Sequence, residues 1–283
     1  MRLFGPRGRH EADRPTSSPV DEVIALYTAG RYAEAETEAR AVAAAWTGRR
    51  GTPYAPLALS FAALAAGAQG RHAEAVTAYD DLLPVFGRTF GAEHMLTLKL
   101  RSDRAQALSA LGRHAECEAE CRAVAGVAAR GTGPDMLNTA AAARNGLVFA
   151  LTAQGRHAEA EALVRDALAA HPEHDRFALV LRLGLARSLN AQARHEEALA
   201  EAERADDLRR GMSAEQHRAE TGAVELALAT ALQGLGRERE AHSGAVTAHD
   251  ACLAMFGPDH RRTVEARDLL ERIAGDVPDT DAR

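Results

Sequence analysis

Gly112-Arg113-His114-Ala115-Glu116-Cys117 decides how this chain is read, because close copies of it recur along most of the 283 residues. The copies are Gly30-Arg31-Tyr32-Ala33-Glu34-Ala35, Gly70-Arg71-His72-Ala73-Glu74-Ala75, Gly155-Arg156-His157-Ala158-Glu159-Ala160, Ala193-Arg194-His195-Glu196-Glu197-Ala198 and Gly236-Arg237-Glu238-Arg239-Glu240-Ala241. Subtracting successive first positions gives intervals of 40, 42, 43, 38 and 43. Near-fixed self-similarity is the signature of a stacked-repeat protein, in which each unit buries surface only against its neighbours.

Composition agrees with helices. Hydrophobic residues make up 46% of the chain but aromatics only 4%, and Ala and Leu, the best apolar helix formers, dominate. The formal charge is −6 with both signs interspersed, which argues against a general affinity for nucleic acid. Lys99 is the single Lys among 34 basic residues, so an Arg here is weaker evidence of a chosen guanidinium contact than usual. Cys117, Cys121 and Cys252 do not form a disulfide framework. No apolar run has the length of a signal peptide core or a membrane span, and the expectation is a cytoplasmic protein.

Residues 1–18 and 276–283 lack helical periodicity and are expected to be disordered tails flanking one array over 19–275. Within it, each turn Gly separates two helical patterns, and breakers such as Gly51-Thr52-Pro53, Gly131-Thr132-Gly133-Pro134 and His171-Pro172 separate units. The sixth pair is expected at Ser213–Leu235 and Glu238–Phe256. A last helix, His260–Ala274, carries Arg261, Arg262, Glu265, Arg267, Asp268, Glu271 and Arg272 as the polar face a terminal element offers to water.

Three registered columns fix the packing. Five residues past each turn stand Ala35, Ala75, Cys117, Ala160, Ala198 and Ala241; nine past, Ala39, Tyr79, Cys121, Val164, Ala202 and Ala245; twelve past, Val42, Leu82, Val124, Ala167, Ala205 and Ala248. The first column is uniformly small and all three are apolar. The units resemble tetratricopeptide repeats, whose second helix carries a small residue at a close helix contact and larger ones on the following turns. Phe90-Gly91-Ala92-Glu93-His94 with Thr97-Leu98, and Phe256-Gly257-Pro258-Asp259-His260 with Thr263-Val264, are similar to the long-repeat, kinesin-light-chain-like subtype found in actinobacteria. The resemblance implies a right-handed all-α solenoid of about six helix pairs plus a C-terminal capping helix.

Candidate chemistry is weighed against packing. Cys117 and Cys121 share a helix face but sit in the apolar columns, where a free Cys acts as a compact hydrophobe. His171, Glu173, His174 and Asp175 suit a capped loop as well as part of a zinc site. The turn residues His72, His114, His157 and His195 fall one per unit and read as turn and surface groups. No phosphate loop or nucleophile elbow is present, so no catalytic role, metal or cofactor is expected. Arg104 stands where an apolar residue is wanted and must snorkel or pair with an acid such as Glu118. Eleven residues before successive turns stand Leu59, Arg101, Arg144, Arg182 and Glu225, with Arg267 equivalent in the last helix; this column either grips an acidic ligand or bridges helices through a Glu.

In the family resembled, one face of each first helix turns toward the concave side. The positions matching it include Ser60, Ser102, Gln106, Ser109, Asn145, Phe149, Thr152, Arg187, Asn190, Thr230 and Gln233, interrupted by Leu64, Leu183 and Leu226. Ser102, Gln106, Asn145, Phe149, Arg187, Asn190, Thr230 and Gln233 are the candidate partner-binding residues. A mid-sized polar row can hydrogen-bond a peptide backbone, although a solvent-facing helix side is polar in any case. The expectation is a non-enzymatic scaffold, monomeric or weakly self-associating, that takes an extended peptide or a helix of a partner protein in its groove without nucleic acid or membrane. The alternatives are a ligand- or peptide-sensing regulator with a separate output partner, and a self-assembling structural protein.

Overall fold

A Schellman-type helix stop recurs at every turn and sets the architecture. Arg31 donates to the Leu26 carbonyl at 3.0 Å, and Arg71, Arg113, Arg156, Arg194 and Arg237 repeat this bond to Ala66, Leu108, Leu151, Leu189 and Leu232 at 2.9–3.0 Å. The bond requires a left-handed residue just before the Arg. Gly30, Gly70, Gly112, Gly155 and Gly236 supply it with φ between 70° and 81°, and Ala193 supplies it at 57°. Ala193 is the one non-glycine with positive φ among the described residues, at a cost of roughly 1 kcal/mol.

The computed structural model describes residues 18–49, 52–169 and 175–275. The tail expected over 1–18, Ser18 apart, the tail over 276–283 and the loop residues His171, Glu173 and His174 lie outside the described residues; Asp175 is described, and its carboxylate caps the next helix by accepting from Phe177 N and Ala178 N at 2.9 Å.

Six helix pairs follow in order: α1 (Asp21–Thr28) with α2 (Tyr32–Trp46), α3 (Tyr54–Ala68) with α4 (His72–Thr89), α5 (Met95–Ala110) with α6 (His114–Ala128), α7 (Pro134–Ala153) with α8 (His157–Ala169), α9 (Arg176–Ala191) with α10 (His195–Arg210), and the short α11 (Ala214–His217) and α12 (Ala223–Gly234) with α13 (Glu238–Phe256). Helix α14 (Arg261–Gly275) follows. Apart from the short α11, each helix packs on the next, α10 directly on α12, and the first helices also touch one another in sequence, α5 on α7, α7 on α9, α9 on α12 and α12 on α14. They form a continuous inner layer, with α14 as its last member.

All three expected columns are buried. Ala35, Ala75, Ala160, Ala198 and Ala241 have no exposed surface, and Val42, at 8%, is the most exposed of the eighteen column residues. Both Phe-Gly-containing linkers share one local design. His94 and His260 accept from the backbone N–H two residues on, stack on Phe90 and Phe256 at 5.4 and 4.3 Å, and Thr97 and Thr263 donate back to the Gly91 and Gly257 carbonyls at 2.7 and 2.8 Å.

The continuous helix expected over Ser213–Leu235 is broken. A 3-10 turn occupies Arg218–Glu220, and Gly222 adopts φ 71°. A Cβ there would collide with Cys252 Sγ and fall 2.9 Å from the Ala248 carbonyl oxygen, so α13 approaches too closely for a side chain. The break aims the Thr221 carbonyl at Arg262, which donates to it at 2.9 Å, and places Glu220 between Arg176 (2.9 Å) and Arg262 (3.4 Å).

A polar clamp joins some units and not others. Glu118 accepts from Gln154 at 2.9 Å and Arg156 at 2.7 Å in the next unit and from Arg122 on its own helix at 2.5 Å. Glu161 does the same with Gln192, Arg194 and Arg165, and Glu36 with Gln69, Arg71 and Arg40. Where the Glu position holds Val76 or Leu199, the Gln position of the next unit holds Leu111 or Leu235. Interfaces are therefore polar or apolar as matched pairs.

Candidate functional site: the concave groove

Helices α7, α9, α12 and α14 wall a cavity of about 710 Å³. Asn145 and Phe149 come from α7, Arg187 and Asn190 from α9, and Thr230 and Gln233 from α12; these six candidates line it together. Ser102 and Gln106 do not. Ser102 is buried with its hydroxyl donating to the Leu98 carbonyl at 3.1 Å, and Gln106 is exposed on α5 outside the cavity. The hydroxyls of Thr230, Thr152 and Ser60 also donate to carbonyls of their own helices at 2.7, 2.8 and 2.7 Å. The amides and Arg187 are thus the better-placed donors. Val148, Val180, Leu183, Leu226 and Ala227 give the floor an apolar character.

The turn histidines have a more specific place than a generic surface. His114 Nδ1 lies 3.3 Å from Ser109 Oγ and His195 Nδ1 3.1 Å from Asn190 Oδ1, whereas Nδ1 of His157 is buried without a partner among the described residues, Thr152 having turned to the Val148 carbonyl. His195 lines the large cavity; His72 and His114 line a second of about 600 Å³, formed by the α3/α4 and α5/α6 turns, Phe149 and α14. Burial, with Arg261 nearby, pushes the His72 pKa down.

The sequence reading missed what α14 contributes. Arg261, Arg262, Glu265, Asp268 and Arg272, read as a face offered to water, line the large cavity. Glu265 Oε1 accepts from Arg261 at 2.8 Å and lies 3.5 Å from Arg187 on α9. The two guanidiniums flank Phe149, 4.9 Å (Arg187) and 4.8 Å (Arg261) from its ring centre. Burial opposes the charge on Glu265, but Arg187, Arg261 and Arg262 outweigh it and hold its carboxyl below the usual range. Burial lowers the pKa of Arg261. The signal lay in the repeated linker: a helix opening like α5, after Phe256-Gly257-Pro258-Asp259-His260, is a first helix, and first helices face the groove.

The Arg column divides. Arg101 donates to Glu120 at 2.5 Å and Arg182 to Glu201 at 2.8 Å, which is helix bridging within a unit. Arg267 lies on the surface 3.9 Å from Asp268, and Glu225 at the same register receives Arg209 at 2.9 Å. Arg144 makes no ion pair among the described residues. Arg104 pairs with Asp80 at 2.6 Å rather than Glu118, because Glu118 is taken by the clamp of the next unit. Cys117 and Cys121 are buried with sulfurs 3.9 Å apart, and no cluster of three or more metal-ligating side chains occurs among the described residues. No helix there is long and apolar enough to cross a membrane.

Comparison with known proteins agrees with this geometry. Sequence models described as tetratricopeptide repeat match residues 140–171, and 56–81 and 99–123. No curated protein matches the chain. Among solved structures, the "kinesin light chain nearly identical TPR-like repeats" of Podosopora anserina is similar with TM-score 0.54, 22% identity, and coverage of 66% of this chain and 91% of that one. BtubC (BKLC) from P. vanneervenii gives TM-score 0.54 at 17% identity, covering 85% and 94%. Bacillus thuringiensis PlcR, solved with the peptide PapR7 and DNA, gives 0.55 at 14%, covering 90% and 96%. The chain is an all-α, right-handed solenoid of helix pairs, three segments of which match tetratricopeptide-repeat models.

Proposed function

We propose that this protein is a non-enzymatic interaction module whose concave cavity takes a peptide segment of a partner protein. One observation carries the reading: Asn145, Phe149, Arg187, Asn190, Thr230 and Gln233, from three successive first helices, converge on one cavity of about 710 Å³. An apolar floor with a few amide and guanidinium groups at its edge can hold a short backbone and side chain while fixing their direction. The structural likeness to PlcR, solved with PapR7, supports a peptide as the occupant.

A regulatory form of the same reading has its own support. The cavity is bounded by α14 as well as by the repeats, so an occupant touches the C-terminal helix directly and can report its presence through it. The test compares the chain with its Asn145→Ala, Arg187→Ala, Asn190→Ala triple variant as baits, followed by binding measurements with the purified partner. Loss of that partner by the variant at unchanged helicity is the expected result, and equal binding by both overturns the assignment. A metabolite that raises the melting temperature of the chain but not of the variant would favour a small-molecule sensor.

A further inference from the structure

The ends of this solenoid meet. Leu26, Tyr32, Ala35 and Ala65 of the first units form one apolar cluster with Cys252 and Phe256 at the end of α13. The contact leaves no room for a side chain at the first turn, since a Cβ on Gly30 would collide with the carbonyl oxygen of Met255. A Cβ on Gly70, at the second turn, would lie 3.6 Å from Asp259 in the linker before α14. From that linker α14 enters the groove, and Phe149, Arg261 and Glu265 form the wall shared by the two cavities. The Arg187 to Glu265 approach at 3.5 Å closes the far side.

We infer that the first turns of α14 and the last turn of α13 form an intramolecular latch that holds the superhelix shut across its own groove. It has two parts of different chemistry, an apolar clasp at Gly30 and Met255 and a charged crossbar in which Arg187 and Arg261 share the Glu265 carboxylate over Phe149. Two guanidiniums on one carboxylate leave an excess positive charge. The crossbar is therefore weaker than two separate ion pairs and is open to competition by an acidic group. While it is shut, a segment running the length of the groove is blocked at Phe149, and only something short enough for the large cavity is admitted. Opening the latch joins the two cavities. The closure stands whether or not the cavity takes a peptide, whereas its role as a gate rests on that reading.

Hydrogen exchange on the full chain tests it. Arg187→Glu and Glu265→Arg, each alone, should speed amide exchange in residues 261–265 and 251–256 by about tenfold, and the double variant should restore slow exchange. Either single variant exchanging like wild type, or a double variant as fast as the singles at equal helicity, overturns the crossbar. For the clasp, Gly30→Ala is compared with Gly112→Ala. The two glycines have φ of 78° and 73°, but nothing lies within 4 Å of a Cβ at Gly112, so the backbone strain is shared and only Gly30→Ala breaks the end-to-end contact. Faster exchange at 251–256 in the first and not the second is expected; equal behaviour overturns the clasp. Should Arg187→Glu lose its helicity, wild type is followed from about 0.05 to about 1 M NaCl, where exchange at 261–265 should accelerate while α5 to α8 hold, and no difference between them overturns the crossbar. Because no partner enters these measurements, failure of the partner assignment leaves their outcome untouched.

Discussion

Arg156 donates to Glu118 of the preceding unit at 2.7 Å while its other nitrogens hold Glu159 of its own helix, so one side chain ties the turn to both of its neighbours. Glu118 is the buried end of the pair at 13% side-chain exposure, against 36% for the Arg. Its pKa falls to about 2 because Arg122 and Gln154 bond the charged form against the pull of burial, with Arg156 adding to them. Glu118→Ala should cost about 1–2 kcal/mol, more than a free surface pair, because it removes at once the acceptor shared by Gln154, Arg156 and Arg122. The carboxyl is lowered on folding, so its contribution is complete above the ordinary pKa of 4.5 and is lost as pH falls toward about 2. Urea unfolding of wild type and variant at pH 7 and pH 3 should show the difference narrowing in acid.

Matched interface pairs predict compensation. Val76 is buried and has Leu111 in the register where Glu118 has Gln154. Val76→Glu alone should destabilise by about 2–3 kcal/mol, since it adds a half-buried carboxylate without its amide partner. Adding Leu111→Gln should return more than half of that, because Arg113, which among the described residues pairs with Glu116 alone, can turn to the new acid as Arg156 does to Glu118. Melting temperatures of the two singles and the double measure the coupling, and strict additivity would refute the pairing.

The Ala column has no space to give. Ala160 has no exposed surface and sits where α7 and α8 close on one another. Ala160→Arg should cost more than about 3 kcal/mol and split or abolish the cooperative melt, whereas Ala158→Arg, on the exposed side of the same turn, should change it little. Circular dichroism melts of both variants distinguish the two positions.

The repeat register, the small column and the pairing of helices were legible because each of those signals recurs six times, and a recurring position is interpretable where a single one is not. The six residues of the large cavity could be named for the same reason. Other features are single events. Gly222 breaks the sixth first helix only because α13 comes close there, and nothing local distinguishes it from Gly234 twelve residues away in the same helical pattern. The closing contact of Gly30 with Met255 depends on the curvature summed over all units, which no residue encodes alone. Ser102 went wrong on a smaller matter: its count matched Asn145, but a short hydroxyl is satisfied by its own helix and buried where an amide reaches out. The matched Glu-Gln and Val-Leu pairs were visible in the sequence, yet they become meaningful only when adjacent units are laid side by side.

Acid should act on the latch through His260. Its pKa is pushed down to about 4, first by burial and then by Arg262 and Arg261, with Glu265 opposing and His72 adding to the depression. The ring lies on Phe256, and Nδ1 accepts from Arg262 N, a bond available only to the unprotonated nitrogen. A histidine depressed in the folded state takes up its proton more readily once its surroundings come apart. Its contribution is therefore whole above the ordinary value of 6.5, is lost as pH falls from 6.5 to about 4, and changes no further beneath that. The loss should be on the order of 2 kcal/mol after allowance for its partial exposure. His260→Asn keeps a capping acceptor without the titration. Amide exchange at 261–265, corrected for the intrinsic effect of pH, should accelerate between pH 6.5 and 4 in wild type and stay level in His260→Asn; parallel profiles would place the acid response in His72 if it sets in below 6.5, or in the carboxylates if it sets in only near 4.5.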